Sequence, residues 1–313
     1  MLQTCKQSFK CFDSLSTMSA VTWGRMRTFL TVVDHGSVRA AAAVLHVTEP
    51  AVSAAVAALD RHLGTSLLAK EGRGVRVTDA GLVYAGYCRR ILGLVEESES
   101  AVRSADRGRL RIGAVATASE NVIPPLLASF HRRYPEVDLT LSVRPRDDLF
   151  AELGDHRTDL VIAGRPPRGS GLRSRARRGN RLIVVGAPGT AGDPLTATWL
   201  LRGPGSGTRD TTLGLLTQLD ASPHVLTLGT HGAVVAAARE GLGVTLVHED
   251  AVRPDLERGV LVQLPVPRTP VDRPWHVATT DSPSPSVELF LAHITSVGDV
   301  GGEAFHLLNR PQG

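Results

Sequence analysis

The apolar residues of this 313-residue chain keep two different periods, and the change between them falls near residue 108. Upstream, Trp23, Met26, Phe29, Leu30 and Val33 recur at three- and four-residue steps, the spacing that gives a helix one apolar side. Downstream, from Leu110, apolar runs of strand length alternate with helical segments. One hydrophobic layer cannot satisfy both periods, so the chain must build at least two units of different construction, as its length also implies.

Hydrophobic residues make up 42% of the chain, enough to fill several cores. With 35 Lys and Arg against 31 Asp and Glu, the formal charge of +4 permits an anionic partner without requiring one. Only Lys6, Lys10 and Lys70 are lysines, so cationic contacts fall to arginine, whose planar fork suits phosphate and carboxylate. A coding bias toward Arg, Ala and Gly is the alternative source of that usage. Cys5, Cys11 and Cys88 are too few and too scattered for a disulfide framework or a metal site. A reducing, cytoplasmic setting follows, with no metal and no cofactor expected. The first twenty residues lack the continuous apolar core of an export signal, and no run reaches the roughly 18 apolar residues of a membrane span, so no membrane partner is expected. Residues 1–18 read as a disordered tail, or as the product of an upstream start codon, with Met18 beginning the ordered chain.

Local start and stop signals divide the N-terminal part. In "DHGS", Gly36 suits the left-handed residue that ends a helix, and Ser37 can cap the next one, "SVRAAAAVLH". In "VTEPAVSAAVAALDRHLG", Thr48 is a cap and Pro50 lies near the first turn. Around that helix Val52, Val56, Leu59 and Leu63 fall on one side, and Pro50, Ala54, Ala57 and Arg61 on the other. Two short helices joined by a tight turn, the second with a slim outer face, form a helix-turn-helix that fits a major groove about 12 Å wide. Beyond Gly64, "TSLLAKEGRGVRVTDAG" sets Lys70, Arg73 and Arg76 around a glycine-rich turn, a wing whose cations can reach phosphates. A small helical core with an exposed basic hairpin and no DNA partner is the competing reading of the same pattern.

The stretch "GSVRAAAAVLHVTEPAVSAAVAALDRHLGTSLLAKEGRGVRVTDAG" resembles, in register throughout, the winged helix-turn-helix of LysR-type transcriptional regulators. That resemblance implies that Thr48, Pro50 and Ser53 lie at the DNA surface and Arg39 and Thr78 at backbone contacts. Ser37, Ala54, Ala57, Lys70, Arg73 and Arg76 complete the DNA-facing set. Glu49 stands where the family usually has Gln. It either accepts from a cytosine amino group or sits at the favourable positive end of its helix. Alanines at 54, 55, 57 and 58 replace the longer polar residues that often follow the serine, so affinity is expected from wing and cap contacts. Specificity is expected from alanine–thymine methyl packing and DNA shape.

From Thr78 to near Asp106 a proline-free helical pattern carries Tyr84, Tyr87, Ile91, Leu94, Ser98, Ala101 and Ala105 at alternating three- and four-residue steps. This spacing predicts a dimer seam; a long helix packed on its own domain is the alternative. The resemblance favours pairing. It implies a homodimer, and a dimer of dimers, on double-stranded DNA at an interrupted palindromic promoter site, with recognition helices about 34 Å apart.

The expected fold class is α/β: an N-terminal winged helix-turn-helix over 19–77, a long linker helix over 78–107, and a C-terminal two-lobed α/β effector domain over 108–298. The lobes are expected at about 109–164 with 268–297, and at about 165–267, followed by a tail over 299–313. The two lobes, joined by two proline-rich crossovers, are similar to binding proteins of the periplasmic type. The first lobe reads as a βαβαβ series and hence a parallel sheet. Ligands in such folds sit beyond the carboxyl ends of strands. There, "ATASE" offers Thr117 and Ser119, and "RGPGSGTRD" sets Gly205, Ser206, Gly207 and Thr208 before a helix whose N–H groups favour an anion; an ordinary flexible turn is the alternative. The short run "GPGSGTR" resembles a loop of the LysR subgroup that includes regulators of carbon-fixation and sulfur or nitrogen assimilation genes, which implies a small anionic effector. Thr230, His231 and His248 are further cleft candidates.

These features imply a transcription factor that responds to a small-molecule effector. An enzyme using the cleft is the rival class, but no nucleophile–base pair can be assigned, since Ser206 lies in G-P-G-S-G rather than in G-x-S-x-G. A solute-binding module is a third reading, and the N-terminal helix-turn-helix argues against it.

Overall fold

The computed structural model describes residues 21–72, 74–102, 108–190 and 192–308. The chain divides into two units, the first reaching Ser98 and including Asp155–Arg157, the second holding the remainder.

In the first unit each of three helices starts at a residue whose hydroxyl accepts a backbone N–H. Thr22 caps α1 (Trp23–His35), Ser37 caps α2 (Val38–Leu45) and Thr48 caps α3 (Glu49–Leu63). Gly36, His46 and Gly64 end them in the left-handed conformation. The axes of α2 and α3 bend by 110° at the break, the crossing expected of a helix-turn-helix. Phe29, Val32, Ala41, Val52 and Leu59 are fully buried, and burying each of the larger side chains contributes about 1.5–3 kcal/mol. Leu63 departs from expectation. It is 38% exposed, as the last residue of α3.

The wing is an antiparallel pair, β1 (Leu68–Glu71) and β2 (Gly74–Val77), in register from Leu68↔Val77 to Glu71↔Gly74. Asp60 of α3 anchors its base, accepting from the Leu67 N–H at 3.0 Å, and Val75 N–H bonds to the Gly36 carbonyl at 3.3 Å. Thr78 then caps α4 (Asp79–Ala101), accepting from Gly81 N–H at 3.0 Å and donating to the Ser66 carbonyl at 2.8 Å. Tyr84, Ala85 and Cys88 of α4 pack on Phe29 and Leu59.

The second unit has two lobes. Lobe 1 is a six-stranded sheet in the order β14-β6-β13-β5-β3-β4, formed by β3 (Arg109–Ala114), β4 (Asp138–Val143), β5 (Leu160–Ala163), β6 (Arg173–Arg178), β13 (Trp275–Thr279) and β14 (His306–Leu307). Helices α5 (Ala116–Asn121), α6 (Ile123–Arg133) and α7 (Arg146–Gly154) connect its first three strands, and α11 (Pro285–Thr295) joins α6 over one face, around Phe130 and Phe290. Lobe 2 centres on β7 (Arg181–Gly186), which pairs with β10 (Thr245–His248) and, on its other edge, with β11 (Val262–Gln263) and β12 (Val271–Asp272). A parallel pair, β8 (Trp199–Arg202) and β9 (Val225–Gly229), adjoins β10 through Trp199↔Val244. Its helices are α8 (Gly207–Gln218), α9 (His231–Arg239) and α10 (Glu249–Glu257).

The βαβαβ series is parallel as expected, with β3, β4 and β5 running together; β13, antiparallel to both β5 and β6, makes the completed sheet mixed. Two expectations are corrected. The lobe boundaries move, since the arginine-rich stretch after Ala163 contains β6, a strand of lobe 1, and β12 belongs to lobe 2. The crossovers are therefore near 179–180 and 273–274. The tail expected from residue 299 is folded as far as 308: Phe305 is a buried anchor bonded to the Ile294 carbonyl, and β14 covers the edge of β6. Residues 1–18, 103–107 and 309–313 lie outside the described residues, and with them the expected N-terminal tail, Ala105 and the end of the expected linker. No single helix among the described residues is long and apolar enough to cross a membrane.

Gly81 has a steric reason to be glycine. A Cβ there would stand 2.1 Å from the Leu67 carbonyl oxygen, where α4 crosses the start of the wing. Gly81→Ala is expected to destabilise the first unit by about 3 kcal/mol through overpacking, read as a lowered urea midpoint of that unit's transition. An unchanged midpoint would show that α4 can shift freely here.

Candidate nucleic-acid interface and effector cleft

The expected DNA-facing residues gather around the N-terminus of α3 and the wing. Arg39, Thr48, Glu49, Pro50, Ser53 and Ala54 are exposed, Ser37 and Ala57 are half-buried, and Lys70 and Arg76 project from the wing strands. Arg73 lies outside the described residues. The Thr48 hydroxyl accepts from Ala51 N–H and keeps its own proton to donate. Glu49 is the first residue of α3, at the helix's positive end. Thr78 differs: its hydroxyl already makes three bonds inside the unit, to Ser66, Leu67 and Gly81, so it shapes the junction of wing and helix.

The expected seam on α4 is only partly a free surface. Tyr87, Ile91, Leu94 and Ser98 are exposed, whereas Tyr84 turns inward with its ring 5.7 Å from that of Phe29. The reason is that the first turns of α4 also roof the helical core. Val83, 64% exposed, takes the place expected of Tyr84 on the outer side. The side chain of Ala101 lies outside the described residues.

The second unit holds a cleft between its lobes. A cavity of about 310 Å³ is lined from lobe 1 by Val115, Arg144 and Arg146 and from lobe 2 by Arg202, Gly205, Ser206 and Gly207. A deeper chamber adds Thr117, Gly164, Thr208, His248, Arg273 and Trp275. A third cavity, of about 390 Å³, opens beside the crossover between Arg165, Asp272, Arg273 and His276. Arg146 lines all three.

Several elements bring cations here. Arg202 ends β8, and its guanidinium donates across the cleft to the Thr117 hydroxyl at 3.2 Å. Burial pushes Arg202 down from the ordinary guanidinium range, partly opposed by Glu120. Arg273, on the crossover, is pushed the same way by burial and then by Arg146, and donates to the Thr211 hydroxyl at 2.9 Å. Arg146 starts α7 and is held by the Arg165 carbonyl at 2.7 Å. Ser206 caps α8, whose first N–H groups have no partner within the helix. Gly207 lies close to the Arg273 guanidinium, which a Cβ there would meet at 3.0 Å.

Of the expected effector residues, Thr117, Gly205, Ser206, Gly207, Thr208 and His248 line these cavities. Ser119 does not: "ATASE" winds into α5, and the serine hydroxyl turns back to the Ala116 carbonyl at 2.7 Å. Thr230 is spent capping α9 on an exposed edge. His231 is buried behind the wall, its pKa pushed down to about 4 by burial, then by Arg202 and Arg239. Arg146, Arg273, Trp275 and His276 were not among the expected effector residues. Arg202 carried a signal, as an arginine closing the apolar run "TWLL" at a strand's carboxyl end. Arg273 sits in a proline-rich crossover and carried none.

A winged helix-turn-helix followed by a two-lobed sensor with a cationic cleft defines a ligand-responsive DNA-binding regulator. The chain belongs to the LysR family: residues 103–299 match the LysR substrate binding domain, and residues 23–82 match the bacterial regulatory helix-turn-helix protein, lysR family. It is 33% identical over 294 residues to the HTH-type transcriptional regulator CfxR of Cupriavidus necator, covering 89% of this chain and 92% of that one. To the HTH-type transcriptional regulator CbbR of Rhodospirillum rubrum it is 32% identical, covering 81% of this chain and 88% of that one. Its fold is like that of ArgP from Mycobacterium tuberculosis, with a TM-score of 0.67 at 20% identity over 86% of this chain and 94% of that one. The LysR family regulator CbnR gives 0.63 at 21% identity over 87% and 98%. The chain is thus a LysR-type transcriptional regulator with an effector-binding domain, and its relatives are named as regulators rather than enzymes.

Lys70→Ala and Arg76→Ala are each expected to weaken operator binding evenly across sequence variants and to reduce the salt dependence of log affinity by about one. Fluorescence anisotropy over a salt series reads this. A loss confined to particular base pairs would instead assign those side chains to base edges.

Proposed function

We propose that this regulator binds a small anionic effector between the lobes of its second unit, and that the bound effector alters transcription from an interrupted palindromic promoter site. The observation that carries this reading is the convergence of Arg146, Arg202 and Arg273, from three different elements, beside the N-terminus of α8. No carboxylate lines the deep chamber among the described residues. Cations crowded into a half-buried cleft favour an anion that neutralises them all, and such a ligand favours the closed lobes by its differential affinity. DNA and effector then change each other's affinity reciprocally. The kinship with CfxR and CbbR agrees with the subgroup whose loop "GPGSGTR" resembles, and that resemblance implies a small anionic effector. DNA as partner supports a cytoplasmic site of action.

The exposed face of Val83, Tyr87, Ile91 and Leu94 supports a homodimer through α4, with two dimers on one promoter region. A protected-site footprint upstream of a neighbouring divergent gene, with and without small organic and phosphorylated acids, tests the effector reading. Arg146→Gln and Arg273→Gln are each expected to weaken the effector response at least about tenfold, with operator affinity retained. An unaltered response in both would remove the cleft as the site. Leu94→Glu is expected to shift sedimentation from dimer to monomer and to cost operator affinity; a dimer that persists would place the interface elsewhere.

A further inference from the structure

The recognition helix carries an acid where helix physics disfavours one. Asp60 lies in the last turn of α3, at the negative end of the helix dipole, on the element expected to approach a polyanion. Arg61 beside it has the charge that this end of the helix favours. A side chain that conflicts with both its helix and its expected partner needs a local reason to be there.

The connector from α3 to the wing, residues 64–67, folds back over Asp60. The Asp60 carbonyl accepts from Gly64 N–H and from Thr65 N–H at 3.2 Å, and the carboxylate Oδ1 accepts from Leu67 N–H at 3.0 Å. Any residue would supply the carbonyl. Only the side chain supplies the acceptor for Leu67, and a carboxylate binds a backbone N–H more strongly than a neutral group does. Ser66 adds little here, because it gives its one hydroxyl proton to the Leu68 carbonyl at 2.8 Å, leaving its 3.4 Å approach to Asp60 Oδ2 secondary.

Leu67 is the point from which the wing departs. Its side chain is 1% exposed in the core with Phe29 and Leu59, its N–H is held by α3, and its carbonyl accepts from Thr78 N–H at 3.0 Å. Beyond it the hairpin has four paired positions, from Leu68↔Val77 to Glu71↔Gly74, and a two-stranded ribbon of that size is marginal by itself in water. The direction of the wing is therefore set by its ties to the helices. Lys70 stands three residues past Leu67, about 10 Å along an extended strand. A small rotation at Leu67 thus carries the Lys70 ammonium well away from its place beside α3.

We propose that Asp60 is a positioning residue for DNA binding. Acting through Leu67, its carboxylate fixes the wing cations Lys70 and Arg76 at a set distance from the recognition helix, so that groove and phosphates are engaged together. The proposal rests on the reading that those two cations hold phosphates. It also reverses the sign that charge alone predicts. Removing a negative charge beside a polyanion tightens binding, whereas removing the acceptor that aims the cations weakens it.

Fluorescence anisotropy over a salt series, on the full chain and a labelled duplex carrying the footprinted promoter site, tests this as a double-mutant cycle. Asp60→Ala is expected to weaken binding about tenfold and to lower the salt dependence of log affinity by about one to two. In a Lys70→Ala/Arg76→Ala background the same substitution is expected to cost about threefold or less, since the cations it positions are gone. Asp60→Asn keeps an oxygen acceptor for Leu67 N–H and is expected to restore binding to within about threefold of the parent. Asp60→Glu keeps the charge but moves the carboxylate by a methylene, and it enters the same cycle should Asp60→Ala fail to fold, as circular dichroism would show. Equal costs in the two backgrounds, tighter binding by Asp60→Ala, or a folded Asp60→Asn as weak as Asp60→Ala would each overturn the positioning role. If Lys70→Ala/Arg76→Ala left affinity and salt dependence unchanged, the wing reading itself would fall, and the proposal with it.

Discussion

Two short stretches of backbone carry the division of the second unit into lobes, and they are held side by side by one reciprocal contact. The Arg273 N–H donates to the Asn180 carbonyl at 2.8 Å, and the Asn180 amide donates back to the Arg273 carbonyl at 3.3 Å. Just before this pair, Arg178 closes β6 with its guanidinium between Asp250 of α10, at 3.4 Å, and Glu303 of the C-terminal segment, at 2.6 Å. A buried cation is tolerable only when its partners stay in place, so this cluster fixes where the chain leaves lobe 1. The folded segment 299–308 supplies one of those partners, which gives it a structural role that a tail would lack.

Arg273 belongs to the crossover and also lines the cleft, so crossover and cleft share a residue. Its guanidinium is half-buried, and burial, then the nearby charge of Arg146, raises the cost of keeping Arg273 charged. Asn180 extends the link, since its side chain bonds to His248 of lobe 2 and that ring stacks on Trp275 of lobe 1. A ligand that contacts Arg202 and Arg273 together therefore acts on both lobes and on the strands between them. Differential affinity for one lobe arrangement is all that linkage requires.

The N-terminal unit was legible in the sequence because its signals are local. Caps at Ser37 and Thr48, left-handed glycines at 36 and 64, and a one-sided apolar period each act within a turn or two. Errors arose where a face is set by distant neighbours. Leu63 and Tyr84 fit the period of their helices, but which side meets the core depends on where the underlying helices stop. The strand β6 was hidden by its composition: in "RSRARR" the inward positions are Ser174, Ala176 and Arg178, so no apolar alternation marks it. In the cleft, the glycine loop and Thr117 were readable as groups at strand ends. Arg146, Arg273 and Trp275 meet only through long-range topology, which no local spacing encodes.

The same local chemistry limits what the recognition helix can do. The outer face of α3 offers Pro50, Ala54 and Ala57, none with a side-chain hydrogen-bonding group, between the polar residues Thr48, Glu49 and Ser53 in the first turns and Arg61 in the last. Thr48 has already given its oxygen to a backbone N–H, and Thr78 has none to spare. Base-edge hydrogen bonds are therefore few, whereas methyl groups that can meet thymine are plentiful. Lys70 and Arg76 reach outward from the wing, which supports the proposal that affinity and discrimination separate: cations would set how tightly the protein holds a duplex, and groove shape and methyl contacts would decide which sequence it prefers.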